Sequence, residues 1–158
     1  ETCEVLANAH PQVVALVDGD PAGLGYADEL DEPGAGAVKC LRWSEGWTIE
    51  DFVGWIIAAD EAQIMERINQ EILPAPGDRA ALVARLKLDE RVPEKLKGDG
   101  VAYEIIANAL SERPLCRARA RAALHAIAQA CAGVETPHFV AERRGADQIP
   151  RLVFVPWQ

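Results

Sequence analysis

Two aspartates one residue apart, in the stretch Asp18-Gly19-Asp20-Pro21-Ala22-Gly23, are the residues of this sequence best placed to do chemistry. They follow Gln12 to Val17 (QVVALV), an almost continuous apolar run of the kind that forms a strand buried on both faces of a parallel sheet. Ligand sites of open α/β sheets lie outside the carboxyl ends of such strands. A pair of carboxylates at that edge offers hard oxygen ligands to divalent cations. Gly19 and Gly23 would allow a tight turn and the close approach of a phosphate. Three readings stand side by side. The acids cap the next helix, with Pro21 at its first position. Or Asp18, Asp20, Gly23 and Glu29 form a calcium loop, although Ala22 and Gly25 are poor ligands and a strand stands where a helix should precede. Or the pair holds magnesium or manganese for phosphodiester chemistry.

Other residues with chemical potential are more scattered. Glu50 and Asp51 fall in the first turn of a helix expected to start after Thr48, where acids complement the helix dipole. Lys97 sits in a Lys-Gly-Asp-Gly turn near two other surface lysines, Lys87 and Lys95. Arg113, Arg117 and Arg121 recur every fourth residue and would share one helix face, with Arg119 apart from them. Arg143, Arg144 and Arg151 form a second basic group. Both groups read equally well as solvated surface or as a non-specific grip on a phosphate backbone. Trp43, Trp47 and Trp55 read as core or interface packing, with base stacking open to Trp47. Cys3, Cys40, Cys116 and Cys131 contain no CxxC pair and read as small buried hydrophobes. His10, His125 and His138 are too dispersed for a zinc site.

The elements that must position these residues alternate at first and then turn helical. Thr2–Ala9 reads as a short helix ended by His10-Pro11, and 12–17 as a strand. A helix through Leu30 follows, then a loop at 31–36 and a second strand at Ala37–Trp43, a β-α-β pattern that favours a parallel sheet. Helices are expected after Thr48, at 61–72, after Asp78, at 101–110 and at 113–132. Phe139-Val140 and Leu152–Val155 read as short strands around a turn at 143–149. The expected fold class is thus α/β, a parallel sheet flanked by helices, with a helical insertion and a short C-terminal strand return. The expected domains are an α/β core at 1–60, a helical insertion at 61–112 that returns to the site at 96–98, and a basic helix with C-terminal strands at 113–158.

The chain has 158 residues, enough for one domain or two small ones. Its 49% apolar and 26% charged residues exclude disorder as the main state. No apolar run reaches the roughly 18 residues needed to cross a bilayer, and no basic and apolar leader opens the chain, so a cytoplasmic location is expected. The net charge of −9 argues against a nucleic-acid binder taken whole, but its distribution does not. Residues 1–66 carry a net −12, residues 67–112 a net −1 and residues 113–158 a net +4.

The stretch VVALVDGDPAG resembles the DxD strand-turn of TOPRIM domains, and the chain as a whole resembles the C-terminal catalytic region of class 2 OLD (overcoming lysogenization defect) family nucleases. LVDGDPAGLGYADEL, Trp47-Thr48-Ile49-Glu50-Asp51 and Leu96-Lys97-Gly98 carry the likeness over residues 1–110. The resemblance implies a TOPRIM-type sheet and a DNA nuclease using two Mg²⁺ or Mn²⁺ ions about 3.5–4 Å apart, fused to an N-terminal ABC-type ATPase domain. It implies metal ligation by Asp18 and Asp20, and by Glu50 (or Asp51) at the second ion. Lys97 would stabilise charge on the phosphate. Beside the resemblance, the sequence offers Arg113, Arg117, Arg121, Arg143 and Arg144 as the residues to hold DNA. TOPRIM domains begin with a strand ending in Glu-Gly, and no Glu-Gly precedes a helix at the start here. Glu4, with Glu1, stands nearest to that catalytic acid; either the first strand would then precede residue 1, or part of the domain has been lost between them. That departure keeps open a non-catalytic nucleic-acid-binding module. Among other TOPRIM activities, a primase-type enzyme also stays open, whereas a topoisomerase would need its nucleophile from Tyr26 or Tyr103, both in expected helices.

Overall fold

The computed structural model describes residue 6 and residues 13–30, 38–87, 91–142 and 151–158. The chain divides into two compact units, one made of Glu1–Ile49 with Ala123–Gln158, the other of Glu50–Ala122.

In the first unit, β1 (Val13–Val17) leads into α1 (Pro21–Glu29) and then β2 (Val38–Arg42). The two strands pair in parallel, Val13 opposite Val38 through Val17 opposite Arg42, so the alternation expected from the sequence is present. The C-terminal strands, β3 (Phe139–Ala141) and β4 (Leu152–Phe154), form an antiparallel pair. β4 also lies parallel to β2, giving a four-stranded, mostly parallel sheet in the order β1-β2-β4-β3. Val38, Cys40 and Leu41 are buried along β2, which like β4 has partners on both sides, and Trp43 is buried just after it. Phe154 is fully buried and gathers Trp43 and Phe139 edge-on at 5.3 and 5.5 Å between ring centroids. Such aromatic pairs add about 0.5–1.5 kcal/mol each beyond the area they bury. They explain how strands of three residues hold their place.

β1 departs from expectation. Its apolar run was expected to be covered on both faces, yet Leu16 is 40% exposed and β1 pairs only with β2 among the described residues. An apolar run shows that both faces tolerate burial; it does not say what lies beside them.

The second unit is helical: α2 (Ile49–Ile57, from its second residue), α3 (Glu61–Glu71), α4 (Arg79–Leu86), α5 (Gly100–Glu112) and the first turns of α6 (Pro114–Cys131). Its core is aliphatic, with Ile57, Ile64, Ile68 and Leu82 nearly or fully buried. Gly54 lets α2 approach α4, since a Cβ there would stand 2.6 Å from Val83 Cγ2. Asp78 and Asp99 cap α4 and α5 through their side chains. Cys40 and Cys116 are buried as expected, and burial pushes the Cys116 thiol pKa up, whereas Cys131 is exposed. The expected helix at 2–9, the loop at 31–36 and the turn at 143–149 lie outside the described residues, apart from Leu6. No helix among the described residues is long and apolar enough to cross a membrane.

Candidate functional site

Asp18 stands directly after β1, and Asp20 is the N-cap of α1, so both acids project from the carboxyl end of a parallel strand. Each is partly exposed and already holds part of the fold. Asp20 Oδ1 accepts from Gly23 N at 2.8 Å, with Pro21 opening the helix. Asp18 Oδ1 accepts from Ile49 N at 3.1 Å, so it serves the first residue of α2 from 31 positions away. The capping reading is therefore met for Asp20, and Asp18 has an analogous long-range role. The strand before Asp18 disposes of the calcium-loop reading, which requires a helix there.

The glycines of this turn are explained by the chain itself rather than by a phosphate. A Cβ on Gly19 would lie 1.9 Å from Ser44 O, and one on Gly23 would lie 2.1 Å from Asp18 O. Gly19 N donates to Trp47 O at 2.6 Å, and Gly46 N donates to Gly19 O at 2.8 Å. The 44–47 turn is in turn fastened to β4, because Ser44 Oγ donates to Phe154 O at 2.7 Å. The space beside Gly19 is thus filled by backbone. Trp47 and Gly46, which hold the acidic turn through a main-chain carbonyl and a main-chain amide, carry no sequence signal for that task, since nearly every residue has both groups.

Glu50 and Lys97 are both placed in the helical unit, where they form an ion pair with each other. The Glu50 side chain is 12% exposed, well withdrawn from water. Asp51 is likewise paired with Lys87 at 2.7 Å. The segment carrying Lys97 is held by buried Arg85, whose Nε donates to Glu94 O and whose Nη1 donates to Pro74 O, at 2.7 and 2.6 Å. Leu96 N then donates back to Arg85 O at 2.7 Å. Glu94 has a φ of +57°, a backbone state seldom adopted by residues other than glycine, and Gly98 follows at +84°. This scaffolding by Arg85 escaped the sequence, where one arginine on an amphipathic helix looks like any other surface charge.

The basic residues separate into distinct environments. Arg113 caps the end of α5 and pairs with Asp60 at 2.6 Å, so it does not share the helix face expected for it; Pro114 begins α6. Arg119 stacks over Trp55 at 5.0 Å and donates to its carbonyl at 2.8 Å. Arg151 is buried and pairs with Asp28, and Arg42 is buried and pairs with Glu142, each at 2.6 Å. Only Arg117 and Arg121 among these are exposed. Glu1, Glu4, Arg143 and Arg144 lie outside the described residues.

The resident ion implied by the resemblance can be tested against these donors. Among the described residues, no group of three or more His, Cys, Asp or Glu is placed to hold a metal. Magnesium, however, keeps several waters and is often held by one or two carboxylates. Asp18 and Asp20 suit one such ion: both are hard donors, and Asp20 has one oxygen left after its cap. Compared with known proteins, the chain matches no family model, no curated protein and no solved structure.

Proposed function

We propose that this chain is the catalytic region of a metal-dependent DNA nuclease of the TOPRIM kind, as in OLD-family enzymes. The observation that carries the proposal is the Asp18-Gly19-Asp20 pair at the carboxyl end of a strand in a mostly parallel sheet. The reading assigns Asp18 and Asp20 to one Mg²⁺ or Mn²⁺ ion. When bound, such an ion supplies charge neutralisation at the phosphate and a water of lowered pKa. The chain's own contribution is preorganisation. Asp18 is oriented by the Ile49 amide and Asp20 by the Gly23 amide, and the turn between them is clamped by Trp47 and Gly46. Rigid donors of this kind cost little reorganisation when charge develops.

For Glu50 the second-ion role, and for Lys97 the phosphate-stabilising role, both follow from the resemblance. Their ion pair gives each a structural role as well. A partner ATPase domain likewise belongs to this reading.

Plasmid nicking in Mg²⁺, Mn²⁺ or EDTA tests the proposal on the parent, Asp18→Asn and Asp20→Asn. Asparagine keeps an oxygen that can accept from Ile49 N or Gly23 N while removing the charge a cation needs. Metal-dependent cutting should fall by at least about 100-fold in either variant, the scale of losing one element of electrostatic catalysis, with melting unchanged. Equal cutting by Asp18→Asn would remove the site assignment. The second reading, a nucleic-acid-binding module without chemistry, is favoured by the absence of a three-acid group among the described residues. DNA retention with no cleavage in any metal would decide for it.

A further inference from the structure

The 18 residues of α6 contain no acid, although the chain has 25. A carboxylate three or four residues away would pair with an exposed helical arginine. Around Arg117 and Arg121 those positions hold Arg113, Pro114, Ala118, Ala120, Leu124 and His125. Both side chains are exposed, and neither has a partner among the described residues. Their neighbours on the exposed surface, Ala118 and Ala122, are too short to screen them. The contrast with Arg113, Arg119 and Arg151 is direct, since each of those already has a protein partner.

Two guanidiniums at this spacing stand about 5–6 Å apart at Cβ, close enough to grip neighbouring phosphates on one strand. Guanidinium is planar, permanently charged and suited to bidentate phosphate contacts. We propose that Arg117 and Arg121 form a sequence-independent contact for a nucleic-acid phosphate backbone. The inference rests on the nuclease reading for its ligand and deepens it, singling out Arg117 and Arg121 from the three expected DNA-contacting arginines among the described residues. The basis is charge complementarity: an uncompensated basic helix face in an acidic chain meets a uniformly anionic polymer. An acidic protein segment is the competing occupant.

Fluorescence anisotropy of a labelled mixed-sequence duplex, titrated with the full chain in EDTA, measures the contact. Salt is varied from about 50 to about 200 mM. Arg117→Ala with Arg121→Ala should make the log–log salt slope shallower by about 1.8, or about tenfold less affinity lost across that range. Arg117→Lys with Arg121→Lys should keep the slope, because the charges remain. Both positions are exposed, so both variants should melt with the parent. An unchanged slope in the alanine variant overturns the proposal. So does a parent that binds polyglutamate through these arginines as tightly as DNA. Asp18→Asn separates this surface from the nuclease reading. If the alanine variant loses slope while the parent cuts nothing in any metal, the contact stands and the nuclease falls. If cutting depends on Asp18 while the slope is unmoved, only the contact falls.

Discussion

At the scale of single residues, Gly19 is the strongest constraint on the acidic turn. Its hydrogens face Ser44 O, and a methyl group there would overlap that oxygen at 1.9 Å. The obstacle is backbone rather than a flexible side-chain tip, so the 44–47 turn would have to move and release the Gly19–Trp47 hydrogen bond. Gly19→Ala is therefore expected to cost about 3 kcal/mol, the upper end for overpacking a tight site. Gly25 is the internal control. It lies exposed within α1, and a methyl group added there would meet no atom within 4 Å. Gly25→Ala should stabilise by about 0.5–1 kcal/mol through helix propensity. Urea unfolding of both variants measures the pair. Similar small effects at the two positions would mean that the turn is not packed against Ser44 O. The sequence made the aspartates and glycines conspicuous, and it offered a tight turn and a phosphate as reasons for the glycines. For Gly19 the reason is a backbone neighbour more than twenty residues away, which no local pattern encodes; for Gly23 it is the Asp18 carbonyl, within the same turn.

At the scale of elements, capping and periodicity were the legible part. Asp78 precedes α4 as expected, a helix follows Asp99 where one was expected at 101–110, and the β-α-β pattern yields parallel strands. Proline placement was legible too. Pro114 is preorganised for the first helical position, so α6 had to begin after Arg113. That places Arg113 in the break between helices, where Asp60 receives it. Pairings such as Arg85 with two loop carbonyls stayed hidden, because long-range hydrogen bonds leave no periodic trace. The Asp99 cap makes a clear test at this scale. Its Oδ1 accepts from Val101 N at 3.0 Å and from Ala102 N at 3.1 Å, fastening the start of α5 just after Lys97-Gly98. Asp99→Ala should lose about 1 kcal/mol and Asp99→Asn only a fraction of that. Chemical denaturation decides it, and equal losses in the two variants would show that charge rather than the cap matters.

At the scale of the whole molecule, the question is whether acidity is a general property or is concentrated at a site. A net charge of −9 opposes compaction, so any added salt should raise the melting temperature somewhat by screening. A bound ion adds a separate increment, set by how far its concentration exceeds its dissociation constant. At a hundredfold excess that increment is about 2.7 kcal/mol. For a chain of this size it corresponds to about 5–10 °C. The comparison is between MgCl₂ and NaCl at matched ionic strength, on the parent and on Asp18→Asn with Asp20→Asn. The parent should gain the additional increment in Mg²⁺, and the double variant should show only the increase seen in NaCl. This readout involves no DNA and no cleavage, so it tests the acidic pair independently of turnover. Identical Mg²⁺ responses in parent and variant would mean that the negative front of the chain is screened as a whole. The pair at the end of β1 would then be two helix-end acids and nothing more.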